Sequence, residues 1–74
     1  MPLVEEPAMI RADCVPAGVY VRFLRQGRVS WERLIASLRY NGSAYLWTKD
    51  TAGDIHRTEM CSATYVRVAR EEMD

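Results

Sequence analysis

The chain is poor in the residues from which catalytic and metal centres are made. Histidine occurs once, at His56, and cysteine twice, at Cys14 and Cys61, in 74 residues. Two thiols so far apart match no zinc spacing, and nothing signals the oxidising compartment that a disulfide would need. Adding His56 still leaves a tetrahedral metal short of a ligand, so neither a metal nor a cofactor is expected. None of Ser30, Ser37, Ser43 and Ser62 lies in a Gly-x-Ser-x-Gly elbow. No Gly-rich loop leads into Lys-Ser or Lys-Thr, which excludes a P-loop. Asp50, Asp54 and Glu59 lack the spacing of a calcium loop and read as turn residues and solvated charge. A body this small has little room for both a core and a walled pocket. No catalytic residue is therefore assigned, and neither an enzyme nor a small-molecule substrate is expected.

Long apolar runs are missing as well. No stretch approaches the roughly 20 residues that span a bilayer as a helix. The opening "MPLVEEP" turns acidic at once, unlike the basic start and apolar stretch of a secretory signal. The expectation is a cytoplasmic protein with no membrane partner. There is no internal repeat and no low-complexity segment.

What the chain does have is apolar residues, at 49%, enough for one globular domain, and a skewed charge distribution within a formal net charge of zero. From Cys14 to Arg70 there are nine cationic and four anionic side chains, a surplus of five. Acidic residues gather at the ends, in Glu5 and Glu6 and in Glu71, Glu72 and Asp74. All the cations but Lys49 are arginines, whose planar fork suits carboxylates, phosphates and aromatic faces.

All three prolines, Pro2, Pro7 and Pro16, fall in residues 1–17, which reads as a flexible N-terminal arm. Residues 18–70 form the globular domain and residues 71–74 an acidic tail. Alternation of apolar and polar residues predicts strands over 19–25, 44–49, 54–60 and 64–69. "DTAG" is a hairpin loop with Gly53 in the left-handed position. In "SWERLIASLRYNG", Trp31, Leu34, Ile35 and Leu38 fall at i, i+3, i+4 and i+7, one stripe of a helix. Ser30 caps it, Glu32 suits its positive end, and Asn41-Gly42 supplies a left-handed stop. The fold expected is α+β, with a sheet of about four antiparallel strands and one short helix over 31–40 on one face. Trp31 and Leu38 would then belong to the helix–sheet core. The alternative makes residues 33–40 a strand in an all-β fold, which resembles an SH3-like barrel in strand spacing alone and implies no function.

Seven aromatic residues exceed what so thin a core can take. The surplus would share the open sheet face with arginines, the residue types that dominate binding hot spots. The candidate partner-binding residues are Tyr20, Arg22, Arg25, Arg28, Arg39, Tyr45, Trp47, Arg57 and Arg67. The function expected is a small non-enzymatic regulator that binds a larger protein complex. A phage- or plasmid-type factor acting on host transcription or nucleic-acid machinery is an example. The alternative is direct binding of RNA or single-stranded nucleic acid through the same arginines and aromatic rings.

Overall fold

A computed structural model describes residues 2–72, and its regular secondary structure is almost wholly strand. In chain order these are β1 (Leu3–Glu5), β2 (Ile10–Arg11), β3 (Tyr20–Arg25), β4 (Arg28–Tyr40), β5 (Ser43–Lys49), β6 (Ile55–Cys61), β7 (Tyr65–Val66) and β8 (Val68–Glu71). One 3-10 turn, Ala12–Cys14, is the sole helical element among the described residues. Six strands form one antiparallel ladder in the order β1-β8-β3-β4-β5-β6, and β2 pairs with β7.

The expected α+β fold is therefore corrected: residues 31–40 are strand, part of the 13-residue β4. The reason lies in two turns. Arg25 pairs with Arg28 across Gln26 and Gly27, and Tyr40 pairs with Ser43 across Asn41 and Gly42. All four turn residues have positive φ, from 50° to 76°. Two central residues with positive φ define the type I′ turn, whose twist matches that of paired strands. Asn41-Gly42 thus reverses the chain between strands instead of ending a helix. A Cβ at Gly42 would meet no atom within 4 Å, so only its φ of +75° resists substitution. Gly42→Ala is expected to cost about 1 kcal/mol of stability, read as a lower urea midpoint at unchanged slope.

The alternation along β4 is interrupted by a bulge at Ile35, where the register with β5 skips from Leu34 to Ala36. Leu34 lies opposite Thr48 and faces inward, whereas Ala36, Leu38 and Tyr40 lie beside Trp47, Tyr45 and Ser43 and face outward. Trp31 also points outward, opposite Arg22, and Leu38 is 54% exposed. Leu38 is thus corrected from core to surface, and Trp31 from core to a half-buried place on the outer row. The four residues of the helical stripe are divided between two faces.

β4 also folds the sheet over. Its first part pairs with β3 and its second with β5. Arg25 sits level with Arg28, while Thr58 on β6 sits level with Ser37 through Leu46. Nine residues of straight strand would hold those levels roughly 30 Å apart. Yet Arg25 Nη2 donates to Thr58 Oγ1 at 3.1 Å. The two halves of the sheet must curl until their inner rows meet. The core between them is aliphatic: Val15, Val19, Val21, Leu34, Leu46, Val66 and Val68 are buried with Ala12 and Ala44. None of the seven aromatic side chains is among the buried residues.

The strands expected at 19–25, 44–49 and 54–60 are present within a residue or so of those bounds, and Gly53 has a φ of 91° in the β5–β6 loop. The stretch expected at 64–69 is broken at Arg67 into β7 and β8. Residues 1–17 were expected as a flexible arm, and the described part of it, residues 2–17, holds two paired strands. β1 pairs with β8, β2 pairs with β7, and Ala12 and Val15 enter the core. Pro2, Pro7 and Pro16 all fall outside the strands, so their missing N–H groups cost no ladder bond. Of the acidic tail, Glu71 ends β8, while Met73 and Asp74 lie outside the described residues.

Candidate functional site

The surface can be built up from the cations. Five arginines hold carboxylates. Arg11 and Arg39 reach Asp13, Arg25 reaches Glu32, Arg67 reaches Glu5, and Arg70 reaches Glu6. Among the described residues, Arg22, Arg28, Arg33, Lys49 and Arg57 have no carboxylate partner. Four of these five (Arg22, Arg33, Lys49 and Arg57) stand on outward rows of the large sheet, each beside an aromatic or another cation. Arg22 faces Trp31, Arg33 faces Tyr20 and Lys49, and Arg57 faces Trp47.

The curl of β4 divides those rows. One outer face, on β3 and the start of β4, carries Arg22, Leu24, Val29 and Trp31. The other, on the end of β4 with β5 and β6, carries Leu38, Tyr40, Tyr45, Trp47, Arg57 and Glu59. They meet along Tyr20, Arg33 and Lys49, where a shallow depression of about 210 Å³ is lined by those residues with Trp31, Asp50 and Thr51. The second face is the richer: Tyr40 is 62% exposed, and Tyr45 and Trp47 are half-buried beside the exposed Leu38.

Of the nine candidate partner-binding residues, Tyr45, Trp47 and Arg57 come together on this second face. Tyr20 lies on the ridge, where its hydroxyl donates to Glu71 at 2.7 Å, and the hydrogen bond holds the phenol above its ordinary range. Arg22 belongs to the first face, and Arg28 to the β3–β4 turn. Arg39 and Arg67 are drawn aside by Asp13 and Glu5.

Arg25 has an internal role. Its guanidinium lies over the Phe23 ring at 4.6 Å and forks onto Glu32, with Nε to Oε2 at 3.0 Å and Nη2 to Oε1 at 2.9 Å. Ser30 and Thr48 donate to the same carboxylate, each at 2.7 Å. Glu32 itself is wholly buried. Burial pushes its carboxyl up, but the bonds from Arg25, Thr48 and Ser30 and the Arg25 charge outweigh that and hold it at about 2. The sequence reading missed this cluster. Ser30, Glu32 and Leu34 alternate as a strand face, a signal masked by the helical stripe in the same segment.

The nearest approach to a catalytic pair is Asp50 with His56, 2.7 Å apart. Asp50 also accepts the backbone N–H groups of Ala52 and Asp54, both at 2.9 Å. The His56 bond first, then those amides, hold its carboxyl below the usual range. The pair is spent on fixing the β5–β6 loop. The Cys14 thiol donates to Asp13, and this bond first, then burial, pushes it above its ordinary value, away from thiolate reactivity. Among the described residues, no group of three or more His, Cys, Asp or Glu side chains could hold a metal ion. Nor is any helix there long and apolar enough to cross a membrane.

The class defined so far is a small, curled antiparallel β domain with an aromatic and arginine-bearing outer face. Comparison of the chain with protein-family models, curated proteins and solved structures finds no match.

Proposed function

We propose that this chain is a non-enzymatic binding domain that regulates a larger protein complex by docking the outer face of β4, β5 and β6 on it. One observation carries the reading: rings and uncompensated cations that a core or an ion pair would otherwise absorb are left together on that face. Trp47 stands beside Arg57 and Tyr45 beside Leu38, with Lys49 and Arg33 on the ridge that bounds the face. Tyr, Trp and Arg supply most of the affinity at protein interfaces, and apolar neighbours exclude water around them. Leu38 and Ile55 on the same face favour a protein partner, since exposed aliphatics add little on a phosphate backbone.

The variant Tyr45→Ala/Trp47→Ala tests it. The core keeps its aliphatic residues, so the circular dichroism spectrum is expected to stay that of the parent. Capture of a host protein by the immobilised parent is expected to fall more than about tenfold in the variant, as for paired hot-spot truncations. A partner retained at full strength by the folded variant would reject this face.

A second reading is favoured by the ridge around Tyr20, Arg33 and Lys49, where two cations and two rings, with one carboxylate, Asp50, line one depression. Single-stranded nucleic acid uses such stacking platforms, and its binding weakens steeply with salt. Titration with labelled oligonucleotides across a salt series separates the two readings. Saturable binding with a steep salt slope selects nucleic acid.

A further inference from the structure

The two ends of the six-stranded ladder are built differently. β1 has three residues and lies between Pro2 and Pro7, so this edge is short and blunted. β6 has seven residues, no proline, no glycine and a register with β5 free of bulges. Among the described residues no strand pairs with its other side. An edge of this length with open N–H and C=O groups is a template for another strand.

Its sequence, Ile-His-Arg-Thr-Glu-Met-Cys, indicates which strand fits. Ile55, Arg57, Glu59 and Cys61 point to the outer face, and His56, Thr58 and Met60 point inward. Suppose two copies of β6 lie antiparallel with Thr58 opposite Thr58 of the second copy. Arg57 of each then falls opposite Glu59 of the other, Ile55 opposite Cys61, and His56 opposite Met60. Two ion pairs form, and no like charges meet. Sliding the strands by two residues either way sets Arg57 opposite Arg57 or Glu59 opposite Glu59. A slide by one residue sets outward residues of one copy against inward residues of the other. The Thr58-centred register alone satisfies charge and face together. A net charge of zero leaves no long-range repulsion between copies.

We infer that β6 is a homodimerisation edge, pairing antiparallel about Thr58 with β6 of a second copy through reciprocal Arg57–Glu59 contacts. The pairing continues the ladder across the two-fold axis, and it requires no partner protein. Seven residues of edge bury less surface than a permanent interface, so the dimer is concentration-dependent.

Sedimentation equilibrium from about 10 µM to about 1 mM tests it, the range suited to a small interface. The parent is expected to pass from monomer to dimer. Arg57→Glu sets Glu against Glu, and Glu59→Arg sets Arg against Arg. Each single variant is expected to dimerise roughly tenfold more weakly or worse. Mixed in equal amounts, the two variants become complementary in this register and are expected to recover the dimer, which also shows that each is folded. A parent that stays monomeric throughout overturns the inference. So do single variants that dimerise like the parent, or a mixture that stays monomeric.

Discussion

Glu32→Ala is expected to lower folding stability by about 3 kcal/mol, the low end of the cost of breaking a buried ion pair, because Glu32 is buried while Arg25 is 34% exposed. The carboxylate accepts two bonds from Arg25 and one each from Ser30 and Thr48, and no buried side-chain polar atom among the described residues lacks a partner. Truncation leaves the two hydroxyls and the guanidinium facing an apolar void on the inner face. Glu32→Gln keeps the shape and loses the charge, so its cost should be smaller, about 1–3 kcal/mol. The pair Arg25→Met/Glu32→Leu, which removes both charges, should recover much of the loss.

The same site sets an acid limit. The Glu32 carboxyl titrates at about 2 in the folded chain against an ordinary 4.5. Because its folded value is depressed, its contribution is complete above about pH 5 and is lost as pH falls from 4.5 through 2. A shift of that size corresponds to roughly 3 kcal/mol. Asp13 and Asp50, also held low, add to the same limb. Urea unfolding at pH 7, 5 and 3 should therefore show a midpoint that drops mainly between the last two. Glu32→Gln should flatten that drop. A parent whose midpoint is indifferent to pH over this range would contradict the charge network.

Leu46→Ala is the second large effect, at about 2–5 kcal/mol. Leu46 is 0% exposed at the centre of β5, flanked by Ser37 and Thr58. Those neighbours are small and fixed in ladders on both sides, so the cavity is poorly filled by relaxation. A domain of this size has only a few kcal/mol in reserve, so a fraction unfolded at 37 °C is expected. Leu38→Ala on the outer face is the control, since it removes the same atoms from an exposed side chain. Its urea midpoint should fall far less than that of Leu46→Ala.

Legibility in the sequence followed how regular each segment is. β3, β5 and β6 alternate without interruption, so period two identified them and assigned Tyr45, Trp47 and Arg57 to one side. β4 was hidden by its own bulge. The extra residue, Ile35, breaks the period, and together with Trp31, Leu34 and Leu38 it falls by coincidence on helical spacing, reinforced by helix-favouring Glu, Arg, Leu and Ala. Asn41-Gly42 was the corrective signal, but it serves helix ends and hairpins alike, and the flanking pattern decided wrongly. Once β4 was lost, Glu32 had no inner face, and Arg25 passed for a surface cation. The short strands β1 and β2 were unreadable for another reason. They are stabilised by β8 and β7, far along the chain, and no local pattern of two or three residues records such pairing.

The sharing of β4 bears on how the molecule comes apart. One continuous strand is a member of both layers, so there is no seam along which a sub-structure can be peeled away intact. Loss of either turn beside it strips a neighbour from the strand that the opposite layer also needs. Folding and unfolding should accordingly proceed as one event, and no fragment cut on either side of Arg33 should hold its shape alone.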